Sequence, residues 1–404
     1  MSSSKAIFFL YSSAGELDWV LPIIKKLINS NTPIQIIYLS NGVRENIKLN
    51  KFLNEFLKSH SEIKVCTLGW FSRRARRIGE KLHIKYSASI NKHFFKFFDN
   101  LLKYVYIKNI CLNLSFDDLK KKNMIFLEFR NLSKHSNLRK WHESIFTNSN
   151  FYYFPHAAGV HMNVGPGSYP TLKKGSSSNK FILLGHPNDL DFVKSDYVID
   201  GYEPLYIGHP KYSKEWISYL KSDSGYSSDK NLTKILIISR GVDYHLDKET
   251  QKTLIDSTVK VISSKFKKYQ IIVKKHPRGE DDYWDHLSIS NNKITFSNDH
   301  IFLLAQQAKF AIAFWSSASI DCFVMGTPCI DFMYPKKLKL DFDIGLMFRQ
   351  LGVALPANNE EELSRQIDRV ISEDVDLDIG TCNQYFQDLI ARSNQWYVFF
   401  EKSH

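Results

Sequence analysis

Tyr269-Gln270-Ile271-Ile272-Val273-Lys274-Lys275-His276-Pro277-Arg278-Gly279 and Phe310-Ala311-Ile312-Ala313-Phe314-Trp315-Ser316-Ser317-Ala318-Ser319 share one grammar. Each is a short apolar run, the mark of a buried strand, that empties into a polar loop. Between them lie about twenty polar residues, with Ile294–Phe296 as a short strand, and a helical segment, Ile301–Ala308. After them come a short helix from Ile320 to Met325, Gly326-Thr327-Pro328, and a further strand, Cys329–Phe332. Alternating strands and helices predict an open parallel sheet, whose strand carboxyl ends gather ligands along one edge. A lysine, an imidazole and paired hydroxyls beside a helix amino terminus make a phosphate site, because free amides and the helix dipole favour an anion. That assigns Lys275, His276, Ser316, Ser317 and Ser319 to one anion-binding edge.

Upstream, Lys234–Ile238 opens the same sheet and ends in Ser239-Arg240-Gly241. Arg240 can reach a diphosphate, and Gly241 admits backbone amides to it. The amino-terminal half reads as a second doubly wound unit. Strand Lys5–Tyr11, a helix from about Leu17 to Asn29, strand Ile34–Leu39, a helix through Leu57 and strand Ile63–Cys66 form a βαβαβ start. Glu16 and Asp18 stand at the first strand-to-helix turn, where they either favour the helix dipole or serve the acceptor as a base. Strands at Asn123–Phe129 and Phe151–Phe154 follow, the latter ending in Pro155-His156-Ala157-Ala158-Gly159-Val160-His161. A histidine followed by small residues lets a substrate approach the ring, so His156 is the candidate base and His161 a weaker one. Gly165–Lys180 reads as a loop or lid, and Phe181–Leu184 and Tyr197–Ile199 as the last strands of this half.

At 404 residues two domains are the default. The expected division is 1–205, a linker 206–232, 233–384, and a terminal helix 385–404 that could pack back on the first domain. Hydrophobic content of 43% with 24% charged residues is that of a globular chain, and a net charge of +12 points to an anionic partner. The five cysteines are scattered, without a Cys-x-x-Cys pair, which suggests neither a disulfide framework nor a zinc site and fits a reducing cytoplasm. The short apolar run at Ala6–Leu10 is a first strand and not a signal peptide. No stretch approaches the eighteen or so apolar residues of a membrane span. Residues 70–110 combine ten basic residues from Arg73 to Lys108 with interleaved aromatics. Such a stretch either lies on an anionic bilayer or acceptor, or is a solvated basic helix with its aromatics in the core. No nucleic-acid motif accompanies it.

With those residues in view, the second half resembles the bacterial cell-surface transferases of GT-B architecture. The nearest patterns are the CDP-glycerol glycerophosphotransferases and the capsule and lipopolysaccharide transferases that use CMP-activated sugars of Kdo and sialic acid type. Ile207-Gly208-His209-Pro210-Lys211, Lys234–Arg240, Lys275-His276-Pro277, and the block from Asp299 through Ser316-Ser317-Ala318-Ser319-Ile320-Asp321 to Gly326-Thr327-Pro328 carry the likeness. The resemblance implies that His276, Ser316 and Ser317 bind the nucleotide's phosphate. Pro155-His156 falls where the polymerases carry a Trp-His-Gly histidine, with Ala157 here in place of the glycine.

The expectation is therefore an α/β chain of GT-B type, two facing Rossmann-like doubly wound domains with an interdomain cleft. Its activity would be that of an inverting glycosyltransferase. The donor, activated by CMP or CDP, would be held by Arg240, Gly241, Lys275, His276, Pro277, Ser316, Ser317 and Ser319. His156, or failing it Glu16 or Asp18, would take the proton of a glycan or lipid-linked acceptor. Asp189-Leu190-Asp191 follows a His-Pro loop and stands at no strand end, so neither an essential metal nor a cofactor is expected. The chain would be cytoplasmic, peripheral at the inner membrane face through residues 70–110. A UDP-sugar transferase, a sugar-nucleotide 2-epimerase of the same fold and a basic nucleic-acid-binding protein are the alternatives.

Overall fold

The computed structural model describes residues 4–11, 13–69, 73–75, 78, 92–111, 114, 116–133, 136–158, 162–164, 179–197, 199–223, 232–242, 246–276, 283–334 and 347–398. Pro277, His161 and most of the 70–91 and 165–178 stretches lie outside them. The chain divides into two compact units. One comprises 1–48, 53–211 and 395–404, and the other 49–52 and 212–394.

The first unit is built on β1 (Ala6–Leu10), β2 (Ile34–Tyr38), β3 (Ile63–Thr67), β4 (Met124–Glu128), β5 (Asn150–Phe154), β6 (Lys180–Leu184) and β7 (Glu203–Tyr206). They pair in parallel in the order β3-β2-β1-β4-β5-β6-β7. A sheet covered on both faces needs strands that are apolar throughout, and β1, β2 and β4 are buried at every position. Phe8, Phe126, Tyr152 and Phe181 stand in register on adjacent strands and stack with centroids 4.4, 5.0 and 5.2 Å apart. On the other face Ile7, Phe9, Ile125, Leu127, Phe151 and Tyr153 pack with Trp141 and Tyr106. Tyr106 comes from helix Lys92–Cys111, so part of the basic, aromatic stretch does belong to the core, while Phe97 and Tyr104 of the same helix are exposed.

The second unit contains β8 (Thr233–Ile238), β9 (Tyr269–Lys274), β10 (Ile294–Phe296), β11 (Phe310–Ala313), β12 (Cys329–Phe332) and β13 (Leu355–Ala357). All pair in parallel, in the order β10-β9-β8-β11-β12-β13. Gly326 ends helix Ala318–Met325 at φ +81°, a left-handed cap that suits glycine and turns the chain into β12.

Four local readings differ from the structure. The last strand of the first sheet is Glu203–Tyr206, whereas Tyr197 and Ile199 lie outside strands; Pro204 masks a strand in sequence but is tolerated at a sheet edge. The polar connection after β9 holds a helix, Tyr283–Ser290, pinned by the buried Trp284. The stretch expected as a linker holds helix Lys214–Asp223, with Trp216 and Leu220 buried. The helix through Leu57 is two helices, Asn41–Leu49 and Lys51–Ser59. Near the carboxyl end, helix Gln384–Ser393 belongs to the second unit, and Phe386 packs edge-on against Phe323 there.

Candidate active site

In each sheet the chain winds one way from the first strand and the other way from the fourth, leaving a crevice at their carboxyl ends where ligands collect. In the first unit that crevice lies between β1 and β4. Glu128 is the last residue of β4, at the end of the otherwise apolar Met124-Ile125-Phe126-Leu127, and is fully buried. Its Oε1 lies 3.2 Å from Nδ1 of His156, and its Oε2 accepts from the Arg130 amide at 3.0 Å. The pairing follows from register. Glu128 stands opposite Phe154, and Pro155 carries the chain one step further to His156. An ionised carboxylate only accepts, so Nδ1 carries the hydrogen and Nε2 becomes the basic nitrogen. Pro155 and Ala157, on either side of that histidine, line a small pocket with Met162, Leu183, Asp189 and His209.

The turn after β1 closes on the same place. A Cβ on Gly15 would stand 2.9 Å from the carbonyl oxygen of His156, so only glycine permits this approach. Glu16 is fully buried, and its Oε2 accepts from the Tyr11 amide at 2.5 Å, which ties the loop together. Asp18 is paired with the buried Lys211, Oδ2 to Nζ 3.2 Å. Both carboxylates thus have partners in the structure. The Trp19 indole donates to His209 Nδ1 at 2.8 Å, which sets that ring's tautomer with the hydrogen on Nε2. Asp189 accepts from the amides of Asn163 and His186 at 3.0 and 2.9 Å and so closes its own loop.

In the second unit the crevice lies between β8 and β11. Arg240, just past β8, reaches across it. Its guanidinium carbon sits 4.2 Å from the Trp315 ring centroid, and Nη1 donates to the Trp315 carbonyl at 3.4 Å. The Arg240 carbonyl accepts from Gln251 at 2.8 Å, and Gly241 beside it is buried. Ser316 and Ser317 are half-buried at the start of helix Ala318–Met325, where their carbonyls accept from the Ser319 and Ile320 amides at 3.0 Å. Ser316 Oγ accepts from the Ala318 amide at 3.3 Å. Ser319 points inward and is fully buried against Cys329, so it does not share the surface of the other two serines. Lys275 is held 2.6 Å from Asp285 and lies over the Phe296 ring, and the adjacent His276 is half-buried.

Behind this edge is a buried ion pair that the sequence did not disclose. Asp331, fully buried in β12, meets Arg349 Nε at 2.7 Å and accepts from the Trp315 amide at 3.3 Å. Burial pushes its carboxyl above the ordinary range, against the opposing pull of Arg349. Arg349 also donates to the carbonyls of Asp331 and Ala357 and to Asn358 Oδ1, so every side of its fork is used. Among the described residues no three His, Cys, Asp or Glu side chains gather as a metal would require, and no helix is long and apolar enough to cross a membrane.

No protein-family model and no curated protein matches this sequence. Solved structures do. The UDP-GlcNAc 2-epimerase of Methanocaldococcus jannaschii, in complex with UDP-GlcNAc and UDP, is 12% identical with a TM-score of 0.56, over 99% of this chain and 100% of that one. A UDP-N-acetylglucosamine 2-epimerase gives 9% identity and 0.53 over 100% and 98%. The glycotransferase of kitacinnamycin gives 9% and 0.53 over 100% and 99%. At such identities the likeness is one of fold, and with the two strand orders it establishes the architecture: this chain has the two-domain α/β GT-B fold, each domain Rossmann-like.

Proposed function

We propose that this chain is an inverting, metal-independent glycosyltransferase that moves a sugar from a nucleotide donor to a glycan or lipid-linked acceptor. The observation that carries the reading is the Glu128–His156 pair, a buried carboxylate fixing an imidazole at the ligand edge of the first sheet. His156 Nε2 takes the acceptor hydroxyl's proton as that oxygen attacks the anomeric carbon, and the bond to the nucleotide phosphate breaks. The phosphate's growing charge falls to Arg240, to the helix entrance at Ser316 and Ser317, and to His276 and Lys275. Domain 233–384 holds the donor and 1–205 the acceptor; a net charge of +12 suits an anionic acceptor. Cytidine activation rests on the His-Pro and Ser-Ser motifs.

A second reading has a specific observation in its favour. The M. jannaschii epimerase was solved with UDP-GlcNAc and UDP, which supports a UDP-sugar, used either for transfer or for epimerisation. Incubation with CMP-, CDP- and UDP-sugars, with and without glycan acceptors, separates the two. Nucleotide release that needs an acceptor and fails in His156→Ala supports transfer. Conversion of the sugar without any acceptor would replace it with epimerisation.

A further inference from the structure

Trp315 has φ +50°, the left-handed region, where a bulky side chain is sterically unfavourable. Such outliers persist only where the surroundings over-determine them, and they cluster at functional sites. Here the surroundings are specific. The Trp315 amide is held by Asp331 at 3.3 Å, and the other oxygen of that buried carboxylate is held by Arg349 at 2.7 Å. Through Arg349 the anchor extends to Ala357 on β13 and to Asn358. An ion pair this deeply buried is costly to place, and it joins β12 to helix Met347–Leu351 to fix one backbone position. The position it fixes opens the crevice between β8 and β11, immediately before Ser316 and Ser317. The indole is only half-buried, and a planar cation, the Arg240 guanidinium, lies over it at 4.2 Å.

We propose that the Trp315 indole is the platform on which the donor's nucleobase stacks, and that Arg240 occupies this platform until the nucleotide arrives. The inference rests on the donor-site reading given under Proposed function. A guanidinium and a pyrimidine are both flat and of similar thickness, so one replaces the other against the ring. The displaced fork then turns to the phosphates, which it matches in geometry. Stacking uses a π face that every base possesses, so Trp315 contributes affinity and leaves the choice of base to other contacts.

The test is calorimetric titration of the full chain with CMP, UDP and inorganic pyrophosphate, comparing the unaltered protein with Trp315→Gly and Trp315→Phe. Glycine adopts φ +50° without strain, so W315G keeps the loop and removes only the ring. We expect W315G to lose about tenfold or more in affinity for CMP and UDP alike, with pyrophosphate changed by less than about twofold. W315F should retain most of the nucleotide affinity. Unchanged nucleotide binding in W315G would overturn the inference and leave the donor site standing. An equal loss for pyrophosphate would also overturn it, since the loop and not the ring would then be responsible. Failure of the unaltered protein to bind any nucleotide would remove the donor-site reading and this inference with it.

Discussion

Glu128 Oε1 lies 3.2 Å from His156 Nδ1, with the carboxylate fully buried and the imidazole 11% exposed. The carboxylate orients the ring and fixes its tautomer, and the ring alone reaches solvent. His156→Ala should lower turnover by about 10²-fold or more while nucleotide affinity stays unchanged. Glu128→Gln keeps an acceptor for Nδ1–H but removes the charge that steadies an imidazolium, so its loss should be smaller. Steady-state kinetics with separately measured nucleotide affinity checks both. A His156→Ala enzyme of undiminished turnover would strip the pair of its role.

Gly15→Ala should disturb the same site from behind. The added carbon would stand 2.9 Å from the His156 carbonyl oxygen, which is backbone and cannot yield cheaply. The expected loss of stability is about 1–3 kcal/mol, with a fall in turnover beyond that of a surface alanine. Urea unfolding together with the kinetic assay would reveal it.

Arg349→Met should cost about 3–5 kcal/mol at neutral pH, because it leaves Asp331 charged and unpaired in the interior. Asp331 already holds its proton more tightly than an ordinary aspartate. The penalty should therefore shrink as pH falls and the carboxyl becomes neutral. Urea titrations at several pH values give the answer, and a penalty independent of pH would contradict it.

His142 is fully buried, 4.3 Å from the Phe9 ring and 2.7 Å from the Tyr106 hydroxyl, and burial pulls its pKa down to about 3. The folded chain holds it neutral, while the unfolded chain protonates it below about 6.5. Its contribution is complete above pH 6.5 and is lost as pH falls from there towards 3, at about 1.4 kcal/mol per pH unit. His142→Gln should flatten that slope in denaturant titrations.

Much of the fold was legible because parallel strands must be apolar on both faces. Tyr269–Val273, Phe310–Phe314 and Cys329–Phe332 announced themselves within a residue of their observed ends. Strand Glu203–Tyr206 did not, since an edge strand tolerates proline and polar residues. At the ligand edges, sequence located the loops but not the partners. Arg240 and Ser316 sit beside Trp315, whose strained backbone has no signature in composition. Asp331 and Arg349 are eighteen residues apart, one on β12 and the other on helix Met347–Leu351, and meet only through the fold. Glu128 did leave a signal, a lone carboxylate closing an apolar strand. The partners of Glu16 and Asp18, the Tyr11 amide and Lys211, had no signature in the sequence either.

Under the proposed function the second sheet's crevice holds the donor nucleotide through Arg240, Ser316 and Ser317. Calorimetric titration with CMP, CDP, UDP, GDP and ADP in the presence of EDTA tests it most directly. Saturable binding of a cytidine or uridine nucleotide, lost in Arg240→Ala and weakened in the Ser316→Ala/Ser317→Ala double variant, is the predicted result. Binding that survives both changes, or no binding of any nucleotide, would contradict it.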